Sequence, residues 1–103
     1  MRNSLSVKFS GKNSGVKSIY CYNDIEIEAM LFLLNSYYGT PEKAKELIEK
    51  GNVNELKETL DKSNFFSGNL NVPRKYTDLT AASKKEFADY FYYFNGDHWG
   101  IVG

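Results

Sequence analysis

Asn95-Gly96 lies between two runs that both suit strands, Tyr90-Phe91-Tyr92-Tyr93-Phe94 before it and Trp99-Gly100-Ile101-Val102 after it. Asn-Gly between such runs is the strongest short signal for a β-hairpin, because both central residues of its tight turn take positive φ. A helix continuing through residues 90–94 is the competing reading. On a strand, Phe91 and Tyr93 face one way, and Tyr90, Tyr92 and Phe94 the other. One ring face can pack on helices; the second is left exposed unless something covers it.

A second hairpin is expected at the start of the chain. Leu5, Val7 and Phe9 alternate with polar residues at the strand period, residues 11–15 (Gly-Lys-Asn-Ser-Gly) are turn material, and residues 16–22 are β-branched and aromatic. Between the two hairpins the pattern becomes helical. Asn23 or Asp24, with Glu26 after them, suggests a cap for a helix from about Ile25 to Tyr38. Ile27, Met30, Leu31, Leu34 and Tyr38 give it one apolar stripe, which Phe32 and Leu33 widen, and Gly39 suits a left-handed stop.

Thr40-Pro41-Glu42 starts a second helix with a capping hydroxyl, a proline at the first turn and an acid favoured by the dipole. Ala44, Leu47 and Ile48 form its inner face and Gly51 ends it. Asn52 and Glu55 resemble another capping box, with Val53, Leu56 and Leu60 as a third stripe. Residues 63–79 read as a long loop carrying Phe65-Phe66, Gly68, Pro73 and the basic pair Arg74-Lys75. Ser83 to Glu86 offers a cap for a short helix with Phe87 and Ala88 facing inward. The fold expected is α+β: a two-layer domain in which an antiparallel sheet of N- and C-terminal hairpins packs against three to four helices. At 103 residues there is room for one domain, 1–103, and for one core.

Thirteen basic and thirteen acidic residues give no net charge. That argues against a strongly basic duplex-DNA binder and equally against an acidic DNA mimic. Cys21 is the one cysteine, so no disulfide forms within the chain, and its aromatic and apolar neighbours suit a small buried side chain. His98 is the one histidine, and Asp97 beside it points to the opposite strand face. One His and one Cys do not make a structural zinc site. There is no P-loop, G-x-G-x-x-G or nucleophile elbow. The expectation is a non-enzymatic protein without metal or cofactor. The N-terminus lacks the apolar core and cleavage site of a secretion signal, and the longest apolar run, residues 29–34, is too short to span a bilayer. A cytoplasmic protein is expected.

The rings are the unusual feature: 8 Tyr, 7 Phe and one Trp make up 16% of the chain, more than a core alone calls for if the 90–94 run presents two faces. Aromatics dominate interface hot spots, and exposed apolar patches mark partner sites. The expected partner-binding surface is therefore the C-terminal hairpin, through the exposed members of Tyr90, Tyr92, Tyr93 and Trp99. Arg74, Lys75 and Tyr76 would form its rim. Those three, cations beside a ring, also suit single-stranded nucleic acid. A nucleic-acid-binding accessory domain is accordingly the alternative, and a homo-oligomer that hides the aromatic strand is a third reading.

Residues 18–21 (Ser-Ile-Tyr-Cys), Leu33-Leu34 to Tyr38, Glu42-Lys43, residues 46–48, Gly51-Asn52 and the Tyr93-to-Trp99 segment occur in an order that resembles a group of small phage and prophage proteins. Where that group carries a His-Trp-Asp-Gly-Tyr type segment, this chain has Tyr22-Asn23-Asp24-Ile25. The group brings no activity to any residue here. What the resemblance implies is a setting in which small proteins bind and block a host defence protein. The expectation is an anti-CRISPR-like inhibitor that occludes a nuclease effector in the host cytoplasm.

Overall fold

Alternation along the N-terminal strand sorts its side chains onto two faces, and the sheet grows from it. The computed structural model describes residues 1–9, 15–68 and 71–102. β1 (Asn3–Phe9) pairs antiparallel with β2 (Gly15–Cys21), with Leu5 opposite Ile19 and Ser6 opposite Ser18. The turn expected between them lies, except for Gly15, outside the described residues. β6 (Tyr90–Phe94) and β7 (Trp99–Val102) form the expected C-terminal hairpin, so residues 90–94 are strand and not helix. Its connection is the four residues 95–98. Asn95 accepts from the backbone N–H groups of Asp97 and His98, and only Gly96 takes positive φ, at 102°. Asn95 thus acts through its side chain rather than by adopting a left-handed backbone.

The sheet is mixed, which corrects the expectation of an antiparallel one. Among the described residues its order is β4 (Asn64–Phe65), β3 (Val53–Glu55), β2, β1, β6, β7, with β5 (Arg74–Tyr76) also on β2. The two hairpins meet through a parallel pair, Leu5 beside Tyr92 and Val7 beside Phe94. Parallel neighbours require a crossover, and most of the chain lies between β1 and β6 to supply it. β2 meets β3 (Val53–Glu55) in parallel at Cys21 and Val53, after a crossover through α1 (Ile27–Tyr37) and α2 (Pro41–Glu49).

One face of the sheet holds the core. Leu5, Val7, Ile19, Cys21, Tyr92, Phe94 and Trp99 pack with Met30 and Leu34 of α1 and with Ala44, Leu47 and Ile48 of α2. Thr40 caps α2 by accepting from the Lys43 N–H, Pro41 opens it, and Gly51, at φ 86°, ends it, as the sequence indicates. α1 departs in three ways. Its N-cap is Glu26, without a side-chain bond, because Asn23 is engaged elsewhere. Gly39 does not take positive φ; a Cβ there would sit 2.3 Å from the Asn35 carbonyl oxygen, so the glycine is required by space. Phe32 faces outward, 69% exposed.

The third helix stripe is a strand. Val53 is buried in β3, which pairs with β4 (Asn64–Phe65). Asn52 is not a cap: its Oδ1 accepts from the Tyr20 N–H, and its own N–H and C=O bond the Asn71 side chain. Residues 63–79 are likewise not one long loop, since they also contain β5 (Arg74–Tyr76), antiparallel to β2. α3 spans Leu79–Lys85, capped by Asp78 rather than Ser83. It packs near β2 and β5. Glu86, just past its end, bonds Ser4, Arg74 and Tyr76. By strand alternation those residues stand on the face opposite the core, so the helices do not all cover one face. Ser4, Ser6 and Ser18 are fully buried there, as is Ala82 of α3. Small side chains on both elements allow this close approach.

Candidate protein-binding surface

Two of the rings singled out in the C-terminal hairpin belong to the core. Tyr92 and Trp99 are each 1% exposed, and the Trp99 indole N–H donates to the Tyr38 carbonyl at 2.8 Å. The parallel pairing with β1 turns the Tyr92 side of β6 towards α1 and α2. Tyr90 packs partly buried at the core margin, and Tyr93 is half-buried on the opposite face. The hairpin therefore does not present a second open ring face.

The Arg74-Lys75-Tyr76 triplet is not a loop rim. Lys75 is exposed, but Arg74 and Tyr76 alternate to the inner side of β5 and are half-buried. Arg74 donates from Nε to Glu86 Oε2 at 2.7 Å, from Nη2 to Oε1 at 2.8 Å and from Nη1 to Asn52 Oδ1 at 3.1 Å. The Tyr76 hydroxyl donates to Glu86 Oε2 at 2.6 Å. The Glu86 side chain is fully buried. Burial pushes its carboxyl up, but the bonds from Arg74, Tyr76 and Ser4 and the guanidinium charge outweigh this and leave it below the usual carboxylate range. The cluster fastens α3 and β5 to the sheet, and three donor groups of Arg74 are committed to it.

Tyr20 links this cluster to the surface. The Arg74 guanidinium lies 3.9 Å from its ring centroid and that of Arg2 4.6 Å. Its hydroxyl accepts from the Phe87 N–H at 3.1 Å, while Arg2 Nε donates to the Phe87 carbonyl. Phe87 is thus held at both backbone groups, yet its ring is 76% exposed. Beside it is an open recess lined by Met1, Arg2, Tyr22, Glu86, Phe87, Ala88 and Asp89. Tyr22, in this largely polar lining, meets Phe66 edge-to-face at 5.5 Å between ring centres, and Phe66 is 46% exposed. This surface lies where β1 begins and β2 ends.

None of Arg2, Tyr20, Tyr22, Phe66 and Phe87 was picked out from the sequence as a binding residue. Phe66 carried a signal, as one of a ring pair in a segment rich in turn residues. A helix beginning at a Ser83 cap would turn Phe87 inward, but the helix begins at Asp78 and ends at Lys85, so Phe87 lies beyond it. The Arg2–Tyr20–Phe87 contact joins residues far apart in the chain and has no local signature.

Other chemistry is sparse. Cys21 is buried and its thiol donates to Asn23 Oδ1 at 3.3 Å; burial pushes its pKa up to about 11, so it stays a thiol at neutral pH. His98 and Asp97 form an exposed pair at 3.3 Å on the β6–β7 connection. Among the described residues no group of three or more His, Cys, Asp or Glu is placed to hold a metal, and no helix is long and apolar enough to cross a membrane. Comparison with known proteins finds no matching family model, no matching curated protein and no matching solved structure.

Proposed function

We propose that this is a non-enzymatic binding protein of phage type that occludes a host defence protein, an anti-CRISPR-like inhibitor, and that it engages its partner through the Tyr22–Phe66–Phe87 surface. The phage and defence setting is supported by the sequence resemblance alone. The choice of surface is supported by Phe87: a ring 76% exposed on a backbone fastened by Tyr20 and Arg2 is displayed rather than loose. With its backbone already fixed, Phe87 has only its own rotamer freedom to lose when a partner covers the ring. Exposed, contiguous apolar side chains on a small protein mark a place where another surface fits.

A protein partner suits this surface better than single-stranded nucleic acid. Base stacking needs open ring faces and unpaired cations. Tyr20 has guanidinium groups against its ring, Tyr22 meets Phe66 edge-on, and Arg74 is paired with Glu86, so in this surface only Phe87 and Phe66 offer exposed rings and only Arg2 a guanidinium without a carboxylate, few for a strand of bases. The test is a plating assay in a host with nuclease-based immunity. Expression of the wild type should restore phage plating, and Phe87→Ser, expressed at the same level, should not. Equal plating with wild type, Phe87→Ser and empty vector would remove the inhibitor reading.

A further inference from the structure

Two arginines lie against Tyr20, and only one has a carboxylate on its guanidinium. Arg74 makes three hydrogen bonds, two of them to Glu86. Arg2 makes one side-chain bond, from Nε to the Phe87 carbonyl, and among the described residues its two terminal amino groups have no acceptor. Two acids share the recess with Arg2: Glu86 is paired with Arg74, and Asp89 Oδ2 accepts from the Arg2 backbone N–H at 2.9 Å rather than from the guanidinium. The backbone there is pinned further by the Asp89 N–H, which donates to the Arg2 carbonyl at 2.7 Å. The Arg2 group is therefore positioned by the Tyr20 ring and Phe87, in the lining of a recess shared with Tyr22 and Phe87, with its outer donors unused.

We infer that Arg2 receives a carboxylate from the partner, so that the segment bound in this recess carries an acidic side chain flanked by apolar ones. Guanidinium donors fixed in a plane match the two oxygens of a carboxylate, and such charge-assisted pairs are the strong hydrogen bonds of interfaces. The flanking rings would take the neighbouring apolar side chains and exclude water from the pair. The inference rests on the reading of the Phe87 surface as the partner site and adds the partner's chemistry to it.

The experiment is an NMR titration of the whole chain with two blocked pentapeptides, one with glutamate between leucine and phenylalanine, the other with glutamine in its place. A thymidine oligonucleotide is the third probe. The glutamate peptide should move the Arg2 Nε–H signal and the amides of Tyr22 and Phe87, and bind about tenfold more tightly than the glutamine peptide, the effect of one charge-assisted contact. Arg2→Lys, which keeps the charge but not the fork, should cut that ratio to about threefold or less at unchanged melting temperature. Equal binding of both peptides at these residues would overturn the carboxylate inference and leave the Phe87 surface standing. No movement with either peptide would overturn the inference together with the surface. Tighter, Arg2-dependent binding of the oligonucleotide would overturn it in favour of phosphate.

Discussion

Arg74 and Glu86 form a two-bonded ion pair, Nε to Oε2 at 2.7 Å and Nη2 to Oε1 at 2.8 Å, with the glutamate side chain wholly out of solvent and the arginine 29% exposed. Removing one member leaves the other desolvated without its counter-charge, which for buried pairs costs about 3–5 kcal/mol. Because Arg74 keeps some access to water, Glu86→Ala should fall at the lower end of that range and Arg74→Ala at the upper, where the fully buried acid is stranded. Urea unfolding of both single variants and of the double variant checks this. The double should be less unstable than the sum of the singles, and strict additivity would show that the pair contributes little as a pair.

The same cluster makes stability fall at both ends of the pH scale. Glu86 has its pKa depressed in the folded state, so its contribution is complete above the ordinary carboxylate value and is lost as pH falls through the folded one. Tyr76 is shifted upward, by burial first and then by its bond to Glu86 and that group's charge, to about 12. Its contribution is complete below the ordinary phenol value and is lost as pH rises towards 12. Urea midpoints should decline on the acid side less steeply for Glu86→Gln than for wild type. On the alkaline side Tyr76→Phe should flatten the decline in part, since burial raises Tyr92 to about 12 as well.

Core and surface rings should separate cleanly on mutation. Trp99→Ala and Tyr92→Ala each empty a site that is 1% exposed, and should cost about 3–5 kcal/mol in denaturant titrations. Phe87→Ser touches a ring that is 76% exposed and should stay within about 0.5 kcal/mol of wild type. A large loss for Phe87→Ser would mean that the ring is structural and would count against its binding role.

Asn23 is predicted to be the costliest exchange of a neutral polar side chain. Its Oδ1 accepts from the Leu56 N–H at 2.7 Å and its Nδ2 donates to the Leu56 carbonyl at 2.9 Å, both in buried surroundings. Asn23→Ala leaves both backbone groups unpaired, at about 1–3 kcal/mol each. Thermal unfolding should show a drop larger than that for Asn95→Ala, whose side chain bonds exposed amides of the β6–β7 connection.

Leu34 is fully buried on α1 among the sheet residues of the core. Leu34→Ala should cost about 2–5 kcal/mol, the range for emptying a core leucine site. A variant melting within a degree of wild type would mean that α1 does not anchor the core.

What the sequence by itself determined was whatever depends on neighbours along the chain. Thr40 and Pro41 begin α2 and Gly51 ends it, through capping, a preset φ and a left-handed residue. The alternation in β1 and the spacing of Met30 and Leu34 likewise gave the right elements with the right side chains buried, and the runs at residues 16–22 and 90–94 gave strands without telling which ring face is inner. Tertiary structure alone decided where short polar side chains bond. Asn23 and Asn52 fit helix caps by pattern, yet an amide side chain can satisfy a distant backbone equally well, and here they bond Leu56 and Tyr20. The same holds for the parallel pairing of β1 with β6, which took Tyr92 into the core, and for Glu86, whose partners Ser4 and Arg74 come from two other strands. The exposed surface then follows by exclusion. Phe87 stands outside because Glu86, its neighbour, is drawn inward by a charge that no local pattern predicts.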